Sequence, residues 1–256
     1  MRLKDQVAIV TGGQTGLGRS IVRAYAREGA HVVIPDLVMD GAEKVAKEVK
    51  DMGRQALALK TDVTVASDVK EMVEKVLQEF ERIDILVNNA GIIVRKGLLD
   101  HTEEEWNKML AVNLTGIFLC TREVVPHMIE QGGGKIINMA SVGGLTGYAY
   151  PSYAATKAGV INLTNELVLE LAPHNININC ICPGMNKTSI NAATLDAHPE
   201  IYEAIRKKIP AGRWGRGEGE EVADAAVWLA SEESSYCYGA ALVIDGGISS
   251  VLKMFD

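Results

Sequence analysis

Gln6-Val7-Ala8-Ile9-Val10-Thr11-Gly12-Gly13-Gln14-Thr15-Gly16-Leu17-Gly18 is the stretch on which the fold turns. A short apolar run breaks into a glycine-rich turn, and Gly16 to Glu28 then has helical character, with Gly29 as its stop. Strand, glycines and helix in immediate succession bring three properties to one point. The turn can take positive φ, its lack of Cβ atoms admits a ligand closely, and the helix offers unpaired N–H groups with a partial positive charge. A pyrophosphate suits all three. The spacing is not the common Gly-x-Gly-x-x-Gly, yet it asks the same of the backbone.

Outward from this turn the same unit recurs. His31 to Pro35 reads as a second strand stopping at Asp36, and Asp40 to Met52 as a helix with Ala42, Val45, Ala46, Val49 and Met52 at helical spacing, stopped by Gly53. Gln55 to Lys60 is a third strand. Val65 to Glu81 is a helix with Val69, Met72, Val73, Val76, Leu77 and Phe80 inward, and Asp84 to Asn88 is a buried fourth strand. A long helical region runs from Thr102 to about Glu130. After the hinge Gly132-Gly133-Gly134 come a strand at Lys135 to Met139, a helix near Ser152 and a strand at Ile176 to Ile181. A polar stretch to about Gly217, a helix at Glu220 to Ala230 and a strand at Ala241 to Ile244 complete the chain. Alternation with short loops predicts a doubly wound α/β domain, mainly a seven-stranded parallel sheet with helices on both faces. Continuous apolar runs such as Val7-Ala8-Ile9-Val10 agree with strands covered on both sides. With no internal repeat or linker, residues 1–256 read as one domain.

Composition narrows the function. Of 256 residues 47% are hydrophobic and 23% charged, and 26 basic against 33 acidic side chains leave a net charge of -7. An acidic chain without a basic run is a poor partner for nucleic acid or an anionic membrane. Cys120, Cys180, Cys182 and Cys237 have neither zinc-ribbon nor Cys-x-x-Cys spacing, so no metal site is expected and buried free thiols are. The apolar run Val7 to Val10 is too short for a signal-peptide core or a membrane span. A cytoplasmic protein is the expectation.

Asp36 lies 18 residues beyond Gly18, close to where an acid binds the ribose hydroxyls of an adenosine. A carboxylate there accepts both hydroxyls and repels a 2′-phosphate, and Thr15 and Leu37 supply no adjacent cation. The expected cofactor is therefore NAD(H).

A second constellation lies in Ser141-Val-Gly-Gly-Leu-Thr-Gly-Tyr-Ala-Tyr-Pro-Ser-Tyr-Ala-Ala-Thr-Lys157. If Pro151 and Ser152 open a helix, Tyr153 and Lys157, four residues apart, project from one face while Ser141 faces them from the preceding loop. A phenol of pKa near 10 needs about 4 kcal/mol of help to work as a base at neutral pH. An ammonium at roughly 5 Å supplies about 3 kcal/mol at an effective dielectric near 20.

These pieces, in this order, resemble the short-chain dehydrogenase/reductase family over nearly the whole chain, from about Lys4 to Gly247. The matching residues are the Thr11 to Gly18 turn, Asp62-Val63, Asn88-Asn89-Ala90-Gly91, Asn113, Ser141, Tyr153 with Lys157, Pro183-Gly184 with Thr188, and Asp245-Gly246-Gly247. The resemblance implies a Rossmann-like fold and reversible hydride transfer to or from a nicotinamide. It implies Tyr153 as acid/base, Ser141 as holder of the substrate oxygen, Lys157 on the nicotinamide ribose, and Asn113 on a relay water. It also implies cofactor contacts from Gly12, Gln14, Thr15, Gly16, Leu17, Gly18, Asp36, Asp62, Val63, Asn89, Ala90, Gly91, Tyr153, Lys157, Pro183, Gly184, Asn186 and Thr188.

Substrate choice is expected from Val94 to Gly97, Gly143 to Tyr150 and a helical lid over about 185–214. The lid carries Asn186, Lys187, Ser189, Asn191, Thr194, Asp196, His198 and Arg213, which would suit a polyol, sugar or sugar acid, although such side chains can equally face solvent. A 3-oxoacyl thioester substrate is the alternative within enzymes, and an NAD(H)-binding sensor without turnover the alternative outside them. The family's habit implies a homotetramer or homodimer, with the apolar tail 248–256 expected on a neighbouring subunit.

Overall fold

The computed structural model describes residues 1–147, 149–188 and 191–250, with the side chain of Thr194 left aside. Strands β1 (Val7–Val10), β2 (His31–Asp36), β3 (Ala56–Lys60), β4 (Ile85–Asn88), β5 (Gly134–Met139), β6 (Ile176–Pro183) and β7 (Ala241–Ile244) form one parallel sheet in the order β3-β2-β1-β4-β5-β6-β7. The order reverses between β1 and β4. In an open parallel sheet that reversal leaves a crevice at the carboxyl ends of the strands, where ligands bind.

Strand alternation sorts the core into two layers. Ala8, Val10, Val32, Ile34, Ile85, Val87, Ile137 and Ile181 face α1 (Gly16–Arg27), α2 (Met39–Asp51) and α10 (Glu220–Ala230). Val7, Ile9, Val33, Leu86, Ile136 and Ile178 face α3 (Ala66–Phe80) and α5 (Gly116–Glu130) on the other side. Helix α6 (Pro151–Glu166) covers β5 and β6 on that second face, with Val160 against Cys180 and Cys182. A sheet buried on both sides is what the continuous apolar strands require.

Four features refine the expectations. The region from Thr102 to Glu130 is not one regular helix: α4 (Glu103–Leu110), opened by a Thr102–Glu105 capping box, passes into a π-wound segment at Ala111–Thr115 before α5. Pro35 is not the last residue of its strand, since it pairs with Leu59 and Asp36 pairs with Lys60. It is tolerated because its nitrogen faces β1 beyond their last paired residues, Ile9 and Val33, on the edge where its own carbonyl accepts the Gly12 N–H at 2.9 Å. Leu77 and Phe80 are only half-buried, at the margin of the α3 layer. The four thiols are free, as expected, though Cys237 is half-buried where the other three are buried.

The segment after Pro183-Gly184 contains two short helices, α8 (Ala192–Ala197) and α9 (Pro199–Arg206). They close over Leu195, Ile209 and Trp214, with Tyr202 stacked on Trp214 at 4.8 Å between ring centroids. Ile248 of the tail joins this cluster within its own chain, while Val251 to Asp256 lie outside the described residues.

Candidate active site

Because all the strands run the same way, the ends of β1 to β6 deliver Gly12, Asp36, Thr61-Asp62, Asn89 to Gly91, Ser141 and Pro183-Gly184 to one edge of the sheet. Thr11 ties the first of these to the fourth. Its hydroxyl accepts the N–H groups of Asn89 and Ala90, both at 3.0 Å, and the Asn89 amide donates to the carbonyls of Thr11 and Gly12 at 2.9 and 3.0 Å. The turn is tight enough to exclude side chains: a Cβ on Gly18 would lie 2.4 Å from the Gly12 carbonyl oxygen and 2.5 Å from the Asn89 amide nitrogen. Thr15, at the start of α1, makes no side-chain cap, and the first turn holds no acidic residue. The leading N–H groups of the helix are thus left for an external anion.

The Asp36 carboxylate closes the turn from the next strand, accepting the Gln14 N–H at 3.3 Å and the Val38 N–H at 3.0 Å. Asp62 caps its own loop by accepting the Thr64 N–H at 2.9 Å and hydroxyl at 2.7 Å. Val63 is buried against Gly116, whose absent Cβ would sit 2.9 Å from it.

The second half of the site is built on α6. Pro151 occupies its first turn, so Tyr153 and Lys157 share a face as the spacing requires. The Ser141 hydroxyl accepts the Gly143 N–H at 3.1 Å and lies near enough to the Tyr153 phenol to draw its pKa down. Lys157 is buried, donates to the Met139 carbonyl at 2.6 Å, and has its ammonium 5.7 Å from the Tyr153 ring centroid. Asn113 sits in the π-wound segment, fully buried. Its Oδ1 accepts the Ile92 N–H at 2.9 Å, and its Nδ2 donates to the Ile92 carbonyl at 3.0 Å and the Thr156 hydroxyl at 3.4 Å. Gly91 lies between these groups, since a Cβ there would be 3.4 Å from Asn113 Oδ1 and 3.8 Å from Lys157 Nζ. The extra residue of a π turn re-aims one side chain, here Asn113, toward the edge where Gly91 and Lys157 meet.

Electrostatics differ from the expectation that Lys157 dominates the Tyr153 phenol. Burial raises the phenol above its ordinary value, and the pull downward comes from the Ser141 hydrogen bond and the charge of Arg95. Lys157 itself is pushed down to about 8 by burial, opposed by the neighbouring Cys182. Arg95 and Cys182 are the two participants that motif reading missed. Arg95 stands in the Val94 to Gly97 segment expected to choose substrate, so its position was marked but its reach to the phenol was not.

Lid residues are mostly engaged with one another. Lys187 pairs with Asp196, His198 with Glu200, and Arg213 with Glu221, while Asn191 bonds the Asn186 carbonyl and the Thr188 N–H. The Asn186 amide turns beneath the lid, donating to the Gly184 carbonyl at 3.2 Å and packing against Gly215 and Gly219. Thr188 is buried at the lid's base. A small pocket lined by Met185, Asn186, Trp214, Asp245 and Gly246 opens beside them. Ser189 lies outside the described residues.

A family model described as "Enoyl-(Acyl carrier protein) reductase" matches residues 12–249. The chain is 40% identical over 249 residues to the 3-oxoacyl-(acyl-carrier-protein) reductase FabG of Thermotoga maritima, covering 97% of this chain and 99% of that one. It belongs to the short-chain dehydrogenase/reductase family. Similarity to the 2-dehydro-3-deoxy-D-gluconate 5-dehydrogenase of Dickeya dadantii is 38% over 247 residues, 96% of each chain. A crystal structure of a gluconate 5-dehydrogenase from Burkholderia cenocepacia, in complex with NADP and tartrate, superimposes with a TM-score of 0.92 at 35% identity over 98% of both chains. As a short-chain dehydrogenase/reductase the protein is an oxidoreductase of alcohols and ketones that uses a nicotinamide dinucleotide. The uncapped helix N-terminus and the glycine cradle that a Cβ would fill are the features of this chain that fit such a cofactor.

Proposed function

We propose that the protein is an NAD(H)-dependent dehydrogenase that interconverts a secondary alcohol and a ketone on a polyol, sugar or, in preference, sugar acid. The observation that carries the reaction is the convergence of Ser141, Tyr153, Lys157 and Asn113 at the carboxyl end of β5, next to the glycine turn. The dinucleotide, when bound, accepts or supplies the hydride. Tyr153 moves the proton: as phenol it donates to the carbonyl oxygen in reduction, and as phenolate it takes the hydroxyl proton in oxidation. Ser141 holds that oxygen as charge develops on it. Lys157 binds the nicotinamide ribose, while Ser141 and the charge of Arg95 favour the phenolate. Asn113 holds the relay water near Lys157. Gly12 to Gly18, Asp62-Val63, Asn89 to Gly91 and Pro183 to Thr188 hold the dinucleotide.

The Asp36 carboxylate supports NAD over NADP, because a 2′-phosphate there would meet a like charge. Arg95, whose charge reaches the Tyr153 phenol, supports an anionic substrate. The relatives named for sugar-acid oxidation agree with that class. The 40% identity to FabG keeps a 3-oxoacyl thioester as the second reading.

A panel of polyols, aldonates, simple secondary alcohols and 3-hydroxyacyl thioesters, each assayed with NAD and with NADP, decides among these. Best turnover of an aldonate with NAD is expected, with Asp36→Ser narrowing the NAD preference by at least about tenfold. Equal or better efficiency with NADP sinks the cofactor assignment, and best turnover of the thioester sinks the substrate class.

A further inference from the structure

Of the five residues that α6 buries, Ser152, Thr156, Lys157, Val160 and Thr164, only Val160 is apolar. Ile161 and Leu163 pack beside it partly buried. A helix seated on an apolar stripe has its rotation set by that stripe, whereas one seated on hydroxyls and an ammonium takes its setting from hydrogen bonds. Such bonds tie this face to the elements beneath it. Thr156 accepts the Asn113 amide at 3.4 Å, Lys157 donates to the Met139 carbonyl at 2.6 Å, and the Thr164 hydroxyl accepts the Asn138 amide at 3.0 Å. The first two involve groups already placed at the reaction centre. The third lies two helical turns beyond Lys157, away from it. Asn138 is itself held from the sheet: it pairs with Asn88 in the β4–β5 register, and its Oδ1 accepts the Asn88 Nδ2 at 2.9 Å, which also donates to the Thr121 hydroxyl of α5 at 3.1 Å. The Thr164 hydroxyl passes its own proton to the Val160 carbonyl at 2.7 Å. Asn138 and Thr164 are fully buried, and a buried amide and hydroxyl are costly unless paired, so this bond selects one placement of the helix on the strand.

We propose that Asn138 and Thr164 are a positioning pair for the active centre: their hydrogen bond fixes the rotation of α6 on β5, and through it the aim of Tyr153 and Lys157. This rests on the roles given to Tyr153 and Lys157 above. Lys157, Val160 and Thr164 follow one another at spacings of three and four, on one stripe of the helix. Lys157 and Thr164, roughly 10 Å apart along α6, are fastened to consecutive residues of β5, Met139 and Asn138. Held at Lys157 alone, the helix is free to turn and tilt about that end, and the second tie removes this freedom. At the roughly 6 Å outer radius of a helix, a turn of about 10° carries a side-chain tip about 1 Å. A displacement of about 1 Å at a reacting group can cost on the order of a hundredfold in rate. The loss should fall on kcat more than on KM, because the aim of the proton donor matters most in the transition state.

The test uses the full-length protein and compares Thr164→Val, which keeps the shape and removes the hydroxyl, with Thr164→Ser, which keeps the hydroxyl. Asn138→Ala, the double variant Asn138→Ala/Thr164→Val and a packing control, Val76→Ala in the buried face of α3, complete the set. kcat and KM with the best substrate are read beside the NADH dissociation constant by nicotinamide fluorescence, at a temperature well below every Tm. The binding measurement needs no turnover. A wrong substrate or reaction therefore shows as absent turnover in wild type, while the NADH series still decides the positioning. Thr164→Val and Asn138→Ala should each lower kcat at least about tenfold with KM within about threefold, and weaken NADH at least about threefold through the displaced Lys157. The double variant should lose no more than the worse single one, because both remove the same bond. Thr164→Ser should stay within about threefold of wild type in every quantity. Val76→Ala should lower Tm with kcat and NADH affinity unmoved. If Thr164→Val behaves like Val76→Ala, losing Tm alone, the bond serves stability only and the proposal falls. Equal losses in Thr164→Ser and Thr164→Val would overturn it as well, since the hydroxyl would then not be what sets the helix.

Discussion

Tyr153 and Lys157 face each other under opposing pressures. Burial keeps the phenol protonated and drives the lysine toward neutrality, the reverse of what the proposed chemistry asks of both groups in the oxidation direction. Such a site is held at the expense of stability. Tyr153→Phe should reduce turnover by at least about 10³-fold while leaving Tm within a few degrees, because the ring remains and only its hydroxyl goes. Substantial residual activity, measured on folded variant, would refute the assignment of the proton to this residue. Lys157→Met should also abolish turnover, yet raise Tm near neutral pH. The folded lysine has its pKa depressed to about 8, so between there and the unfolded value near 10.5 the unfolded chain binds more protons and wild-type stability rises with pH. The cost relieved by the variant is of order 3 kcal/mol below pH 8, and the Tm gap between variant and wild type should shrink as pH climbs from 7 to 10. A gap independent of pH would mean that Lys157 is not strained by its burial.

At the scale of elements, the π-wound segment 111–115 and the glycine turn place the groups that strands and helices alone would not. Gly12 and Gly16 adopt positive φ, at 64° and 56°, while Gly18 is required for close approach instead. Gly18→Ala should therefore weaken NADH binding by at least about tenfold and lower Tm, since a methyl would displace the Asn89 amide that ties β4 to the turn. Isothermal titration separates the two effects, and unchanged affinity would show that the cradle tolerates a side chain. Helix α5 also has an outer face. Phe118 remains 44% exposed there beneath Arg122, and Ile129 further along the same helix is 39% exposed.

For the whole molecule that outer face argues for a second copy of the chain. We propose assembly as a homotetramer or homodimer that covers it, and light scattering at micromolar concentration should report a mass at least twice 27.6 kDa. A monomer at that concentration would leave the exposed face unexplained and the assembly proposal wrong. Phe118→Glu should shift the distribution toward monomer if α5 forms the contact. The lid behaves differently, because its own cluster of Leu195, Ile209, Trp214 and Ile248 already covers its apolar side.

Sequence alone determined the α/β alternation, the single doubly wound sheet and the identity of most residues gathered at its edge. It could do so because those features are written in local periodicity, glycine placement and short motifs. Even the α10 and β7 boundaries, Glu220–Ala230 and Ala241–Ile244, are those read from the pattern. Only the tertiary structure decided the rest. The π turn at Asn113 follows from hydrogen bonds to Ile92 on a distant strand exit, and the tolerance of Pro35 from where β1 ends. The reach of Arg95 to the phenol depends on residues tens of positions apart in the chain. Charge and burial act through space, with no period for a sequence to show, and so the tuning of the site was legible only in the fold.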